Sequence, residues 1–169
     1  MLVGVVATCM TIRAMVEEGM LLGQEIPIVQ GLFSLRYARN PGAAFSLFAS
    51  APEWFRTPFF IAVAVLALVV LTVMYIREGH ESRLLRIGLA SVAGGAVANM
   101  LERLLAGEVV DYLDVYVGSY HWPTFNLADC AISVGVGLML LDVLWGQRAR
   151  QRAAAGRVEG RRDERVNAH

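Results

Sequence analysis

The chain has 169 residues, of which 56% are hydrophobic, and its mean hydropathy is +0.51. Soluble domains are about 45–50% apolar, so this composition excludes an ordinary soluble domain and favours helices that span a membrane. The formal net charge is zero and there are two cysteines, so the bulk composition indicates no nucleic-acid partner, no disulfide framework and no metal site.

The N-terminal segment is apolar only over residues 1–12, which rise about 18 Å as a helix. Arg13, Glu17 and Glu18 then follow. We expect a first membrane-spanning helix over approximately residues 2–22, with its charges snorkelling or facing the protein. A signal peptide is the alternative, but no convincing small-residue cleavage site follows this segment.

Three further apolar runs predict membrane-spanning helices at approximately 58–76, 84–105 and 127–146. Arginines are concentrated in the 77–86 loop and in the C-terminal tail. The positive-inside rule therefore places that loop and the tail in the cytoplasm. Four helices then fit the chain, and both termini are cytoplasmic.

This pattern divides the chain into a membrane-embedded domain over residues 1–147 and a cytoplasmic tail over residues 148–169. The tail is rich in Arg, Ala and Gly and has no apolar period. We expect it to be disordered and weakly attracted to anionic membrane lipids.

The two segments predicted on the outer side contain strand-like patterns. Apolar Phe33, Leu35 and Tyr37 alternate with smaller or polar residues in LFSLRYARN, and VVDYLDVYVG at 109–118 is rich in residues that favour strands. These patterns predict a small β-sheet resting on the outer leaflet.

Two series of residues at four-residue spacing run along the predicted third helix. They are Ala90, Gly94 and Ala98, and Ser91, Gly95, Asn99 and Arg103. Small residues on one face allow close helix packing in lipid. Asn99 and Arg103 continue the second series towards the outer loops, where they form either the polar floor of a site or packing contacts with a snorkelling arginine.

Two acids are expected at the outer interface, at the two ends of the connection between the last two helices. Asp111 follows the third helix, and Asp129 opens the fourth, one turn after Asn126. Taken singly, Asp129 could be a capping acid beside an Asn126 cap, and Asp111 an exposed strand acid. Both, however, are expected at the same membrane depth.

Two nearby carboxylates cannot both ionise easily, so such a pair shares a proton near neutral pH. An aspartic peptidase needs this arrangement, because the ionised acid takes a proton from water while the protonated acid polarises the scissile carbonyl. Asn99, Arg103 and Asn126 could orient the acids and bind a substrate carbonyl or a lipid head.

Other catalytic patterns are missing from the sequence. It contains neither G-x-S-x-G nor H-E-x-x-H, and its three histidines are too dispersed to form a metal set. Asp114 and Glu108 are interpreted as solvated acids, and Asp142 lies too near the cytoplasmic end of its helix to join the pair.

The sequence resembles the lipoprotein signal peptidase family, also called signal peptidase II, of the bacterial inner membrane. The resemblance covers about residues 26–142 and depends on three blocks in the family's order and spacing. These blocks are NPGAAFSLF at 40–48, GGAVANMLERLLAGEVVDYLD at 94–114 and PTFNLADCAI at 123–132.

The resemblance implies four transmembrane helices with a small extracytoplasmic β-cradle. It also implies an aspartic endopeptidase that removes the signal peptide of diacylglyceryl-modified prolipoproteins, cutting before the lipidated Cys. The family's catalytic positions fall on Asp111 and Asp129, and its supporting positions fall on Asn40, Gly42, Asn99, Arg103, Asn126 and Ala128. Globomycin-type inhibitors are implied as ligands, and neither a metal nor another cofactor is implied.

The chain departs from the family pattern at several positions. Glu102 replaces Asp, and Pro41 replaces a polar residue, which removes an N–H and stiffens the turn. In the first helix Cys9 stands in the place of an acid and Arg13 in the place of a lysine. Together with the short start, these changes suggest a diverged paralogue or an incomplete N-terminus.

Two other functions are therefore weighed beside the peptidase. One is a non-catalytic or diverged paralogue that binds lipopeptides or globomycin-type inhibitors without cutting, which Cys9 and Pro41 motivate. The other is a channel or transporter, which the nearly uncharged 58–76 span disfavours.

Overall fold

The computed structural model describes residues 1–42, 51–78 and 82–166, with side chains described as far as Gly146. Residues 43–48 of the NPGAAFSLF block lie outside the described residues. In chain order the elements are α1 (Leu2–Gly19), β1 (Glu25–Val29), β2 (Phe33–Asn40), α2 (Glu53–Glu78), α3 (Arg83–Ala106), β3 (Val109–Val117), β4 (Tyr120–His121) and α4 (Leu127–Val166).

Within the described part of the chain, three helices are long and apolar enough to cross a membrane. They are α2, α3 and the Leu127–Gly146 part of α4. These helices agree in position with the three later spans that the hydropathy predicted. Helix α1 is not among them, because its 18 residues include Arg13, Glu17 and Glu18. The predicted fourth span is therefore not confirmed.

Helix α3 is the centre of the bundle, and its glycines allow its neighbours to approach. A Cβ added at Gly94 would lie 2.8 Å from Cβ of Val5 in α1, and one added at Gly95 would lie 2.5 Å from the carbonyl oxygen of Ala128 in α4. Only glycine permits such backbone proximity. The small-residue packing predicted for this helix is confirmed.

The four strands form one antiparallel sheet in the order β1-β2-β3-β4. The register pairs Ala38 with Asp111 and Ser34 with Asp114. One extra residue of β2 between Leu35 and Ala38 forms an irregularity that changes the local register. The predicted strands at 33–38 and 109–118 are both present.

The sheet packs on the end of α1 through an apolar cluster. Val16 and Met20 from α1 contact Tyr37 of β2 and Val110 and Tyr112 of β3. Burying these side chains holds the sheet against the helices. Asp111, which lies between Val110 and Tyr112 on β3, is not part of this cluster.

The last helix is longer than the sequence predicted. We expected it to end near residue 146 and residues 148–169 to be disordered, whereas α4 continues to Val166. Ala, Arg, Gln and Glu dominate this extension, and all four are strong helix formers. The helix therefore continues beyond its apolar part.

Candidate active site

Asp111 is buried in β3 and hydrogen-bonded on both oxygens. The residue is only 3% exposed to solvent. Nδ2 of Asn40 donates to Oδ2 at 2.9 Å, and Nδ2 of Asn126 donates to Oδ1 at 3.1 Å. Burial, together with the negative charge of Asp129, raises the pKa of the Asp111 carboxyl to about 7, against the lowering effect of the two amide donors.

Asp129 lies in the first turn of α4, where its carboxylate has two amide partners. Oδ1 accepts a hydrogen bond from Nδ2 of Asn99 at 2.9 Å, and Oδ2 accepts one from the backbone N–H of Asn126 at 3.2 Å. The Asp129 N–H in turn donates to Oδ1 of Asn126 at 3.0 Å. This reciprocal pair is a capping box, so the predicted capping roles of Asn126 and Asp129 are confirmed.

Asn126 and Asn99 connect the two acids. The Nδ2 atom of Asn126 donates both to Asp111 and to Oδ1 of Asn99, the latter at 3.2 Å. Asn99 uses its own Nδ2 for Asp129. Because one continuous amide network bonds to both carboxylates, the network fixes their relative orientation.

Arg103 connects α3 to the turn after β2. Its Nη1 donates to the Asn99 carbonyl at 3.1 Å, its Nη2 donates to the Gly42 carbonyl at 3.0 Å, and its guanidinium carbon lies 4.9 Å from the ring centroid of Phe60. The Gly42 N–H donates to Oδ1 of Asn40 at 3.0 Å. That turn leaves Nδ2 of Asn40 free to donate to Asp111.

The acids border a cavity of about 810 Å³ between the sheet and the helices. Five of the eight predicted site residues line it: Asn40, Asn99, Arg103, Asp111 and Asp129. Gly42, Asn126 and Ala128 lie behind this surface, where they shape the turn, the amide network and the α3–α4 contact. Residues 122–125 and 132–134 form much of the remaining wall.

Glu102 and Arg13 support the site in a way that the sequence did not predict. Glu102 is 2% exposed, and its Oε2 accepts from the N–H of Val110 at 2.8 Å, immediately before Asp111. The Nε atom of Arg13 lies 3.4 Å from the same oxygen. Burying an acid within an apolar membrane helix costs free energy. The acid at position 102 was therefore the feature of the sequence that indicated a partner for Glu102.

The interpretation of Asp114 as a solvated acid was wrong, whereas Glu108 lies at the surface in a partly exposed ion pair. Asp114 is 0% exposed and contacts Ser34 and His121, while Glu108 is paired with Arg39 at 2.8 Å. Asp114 has the same parity on β3 as the buried Val110 and Tyr112. The period of two therefore carried the signal that this acid faces inward.

Comparison with known proteins identifies the family. The family described as Signal peptidase (SPase) II matches residues 1–145. A lipoprotein signal peptidase of Geobacter metallireducens is 43% identical over 136 residues, which cover 80% of this chain and 83% of that protein. Another, of Serratia proteamaculans, is 46% identical over 121 residues, 72% of this chain and 70% of that protein.

The fold is also similar to that of solved bacterial membrane enzymes. One has a TM-score of 0.77 and 25% identity, with 86% of each chain covered. A second has a TM-score of 0.75 and 24% identity, covering 85% of this chain and 89% of that one. The family match over most of the sequence, the identity to these relatives and the shared fold agree, and the chain belongs to the signal peptidase II family.

Proposed function

We propose that this chain is an aspartic endopeptidase of a bacterial membrane that removes the signal peptide from diacylglyceryl-modified prolipoproteins, cutting before the lipidated cysteine. Membership of the signal peptidase II family supports a protease that acts on prolipoproteins. The aspartic mechanism has a separate basis in the chemistry of Asp111 and Asp129.

The observation that carries this mechanism is the amide network that joins two carboxylates on one cavity wall. Asp111, with its pKa raised to about 7, retains a proton near neutral pH. Asp129 lies in the first turn of α4, where the helix dipole favours the negative charge of an ionised carboxylate. A protonated acid beside an ionised one is the division of labour that general acid–base hydrolysis of a peptide bond requires.

The proposed reaction uses one water and returns the acids to their starting state. Asp129 takes a proton from water, whose oxygen attacks the scissile carbonyl carbon while Asp111 donates its proton to the carbonyl oxygen. The tetrahedral intermediate then collapses: its hydroxyl proton returns to Asp111, the nitrogen takes the proton from Asp129, and the C–N bond breaks. The products are a carboxylic acid and the free amine of the lipidated cysteine.

The supporting residues hold this geometry. Asn99, Asn126 and Asn40 orient the carboxylates, and Arg103 presents its guanidinium at the cavity wall, where it could bind a substrate carbonyl or a lipid head. Gly42 and Ala128 act through the backbone, since one supplies the turn beside Asn40 and the other the close approach of α4 to α3.

We further propose that α1 crosses the membrane as the fourth span of a membrane-embedded domain over residues 1–147. Two of its three charged residues are paired within the protein, because Arg13 lies 3.0 Å from Glu17 and 3.4 Å from Glu102. Pairing reduces the cost of placing them near lipid. The arginine distribution supports an extracytoplasmic sheet, cytoplasmic termini and a cytoplasmic segment over residues 148–169.

The non-catalytic alternative is not favoured. Cys9 packs with Ala98 and Ala128 in an apolar cluster. The turn at Pro41 is closed by the N–H of Gly42, so the N–H that proline lacks is not needed there. Neither departure therefore removes a bond to the acids. Globomycin-type inhibitors are expected to occupy the same cavity.

The test is cleavage of a diacylglyceryl-modified prolipoprotein by the purified full chain in lipid. We expect turnover by wild type and a loss of about 10²- to 10⁴-fold in Asp111→Asn and in Asp129→Asn. Asp142→Asn is the matched control, because this α4 acid accepts a hydrogen bond from Ser82 and does not line the cavity. Full activity in either dyad variant would contradict the mechanism, and a wild type without turnover would contradict the function.

A further inference from the structure

A second polar cluster lies in the sheet, outside the candidate active site. At its centre is the buried carboxylate of Asp114 on β3. The Oγ of Ser34 on β2 donates to Oδ2 at 3.1 Å, and Nδ1 of His121 on β4 lies 2.8 Å from the same oxygen and 3.1 Å from Oδ1. Because a carboxylate only accepts, Nδ1 of His121 carries the hydrogen.

The cluster is not a second catalytic centre. In a serine nucleophile system the imidazole lies between the hydroxyl and the acid, whereas here Asp114 lies between Ser34 and His121. The three residues are also absent from the lining of the 810 Å³ cavity. Any effect of the cluster on the reaction must therefore pass through its neighbours.

The imidazole of His121 is held on its face as well as at Nδ1. It stacks on the ring of Tyr116, with centroids 4.8 Å apart and planes inclined by 10°. The backbone N–H of Tyr116 donates to the carbonyl of Leu32 at 3.0 Å, and its hydroxyl accepts from the N–H of Gly31 at 3.3 Å. These contacts tie His121 to the turn between β1 and β2.

Immediately after His121 comes the wall segment, residues 122–125, whose four residues all line the cavity shared by Asp111 and Asp129. Its ends are bonded to β3: the N–H of Trp122 donates to Val115 at 2.8 Å, and that of Phe125 to Leu113 at 3.1 Å. Residues 122–124 have no regular secondary structure. The side-chain bond of His121 therefore reinforces the N-terminal end of the segment, whereas its C-terminal end is followed directly by Asn126 of the amide network.

We propose that His121 is a positioning residue for substrate binding, which acts by fixing the wall segment through its contacts with Asp114 and Tyr116. This inference rests on the proposed function, because it concerns the same cavity and the same prolipoprotein substrate. His121 reaches no acid of the amide network in the structure. Its loss changes the shape of the wall and leaves the bond-breaking step intact, so KM rises while kcat is retained.

The experiment compares His121→Ala with His121→Asn in the full chain in lipid. Asn places an N–H donor close to the position of Nδ1 and can still bond to Asp114. We expect His121→Ala to raise KM about three- to tenfold, the effect of losing one hydrogen bond, with kcat within about twofold. His121→Asn should restore most of the wild-type KM.

Ser34→Ala is the matched control, because it removes the other donor to Asp114 without touching His121 or the wall segment. It should lower stability and leave KM unchanged. Trp122 supplies a readout that does not depend on turnover. In a background with Trp54→Phe and Trp145→Phe, its emission and quenching should change in His121→Ala and stay as in the background for Ser34→Ala.

An unchanged KM in His121→Ala would overturn the inference, as would a fall in kcat alone. An unchanged Trp122 signal in that variant would equally overturn it. A wild type without turnover would instead contradict the proposed function, and the Trp122 signal would still report whether His121 fixes the wall segment.

Discussion

Asn126 and Asp129 hold each other through reciprocal hydrogen bonds, in which each side chain accepts from the backbone N–H of the other, at 3.2 and 3.0 Å. The same Asn126 side chain donates to Asp111. One residue therefore starts α4 and also connects the two acids. These two tasks use different atoms, since the cap needs Oδ1 and the connection needs Nδ2.

This division of atoms makes the tasks separable by substitution. Asn126→Ala should lose about 1–2 kcal/mol of stability with the cap and most of the activity with the connection. Asn126→Ser keeps a capping oxygen and lacks the amide donor, so it should recover the stability and remain poorly active. Thermal unfolding and prolipoprotein cleavage would be measured on both variants, and equal activity in Asn126→Ser and wild type would contradict the assignment.

The raised pKa of Asp111 predicts a fall in activity on the alkaline side. Because the proposed mechanism needs the protonated acid, kcat/KM should decrease as pH rises through about 7. The hydrogen bond from Asn40 lowers this pKa, so Asn40→Ala should move the alkaline limb to higher pH. A pH profile of cleavage for the two proteins is the measurement, and a limb that stays in place would contradict the role of Asn40.

The same shift predicts how stability depends on pH. The folded-state pKa of Asp111 lies above its ordinary value of 3.8, so the folded protein binds this proton more tightly than the unfolded chain. The contribution is fully present below about pH 4 and is lost as pH rises through about 7. The free energy of unfolding of Asp111→Asn should depend less on pH than that of wild type between about pH 4 and pH 7. An equal pH dependence of stability in the two proteins would exclude Asp111 as the source of that dependence.

The ion pair of Arg13 with Glu102 predicts that an Arg13 single variant is less stable than the double variant that also changes Glu102. Glu102 is buried, so Arg13→Met leaves an uncompensated charge and should cost about 3 kcal/mol or more. Adding Glu102→Gln to it should recover part of this loss, since Gln can still accept from the N–H of Val110. Arg13→Lys should remain near wild type. The measurement is a double-mutant cycle of thermal unfolding in detergent, and additive losses would show that the two residues are not coupled.

Close packing of α3 on α4 predicts that Gly95→Ala is damaging. The new methyl group would lie 2.5 Å from the carbonyl oxygen of Ala128, so the helices must separate beside Asp129. We expect a loss of about 1–3 kcal/mol and a larger relative loss of activity, because the Asn99 bond to Asp129 lengthens. Gly137→Ala is the control, since nothing lies within 4 Å of its added Cβ. Equal behaviour of the two variants would contradict this account.

The helices and the two longer strands were predictable from the sequence because their signals are local, whereas β1 and β4 were not predicted. Continuous apolar runs identified α2, α3 and the apolar part of α4, and alternation identified β2 and β3. The pairing of Asp111 with Asp129 was predictable from chemistry and family resemblance together, since each acid follows or opens a predicted membrane helix.

The partners of Asp114 were not predictable in the same way. Ser34 and His121 reach it only through the register of three strands, and Ser34 is separated from it by 80 positions in the chain. The ion pair of Glu102 depends on how α1 packs against α3. Tertiary placement of this kind leaves no periodic signal, although a buried acid always implies a partner.

Asp111 belongs to the sheet, whereas Asp129 belongs to the helical bundle. The amide network crosses the interface between the sheet and the bundle. In the proposed mechanism, activity therefore depends on how the sheet packs against the helices and not on either part alone. A substitution in the apolar cluster around Val16 and Tyr112 would increase the distance between the two acids while every helix stayed folded. Circular dichroism would then show the helix content of the intact protein, although the cleavage activity was lost.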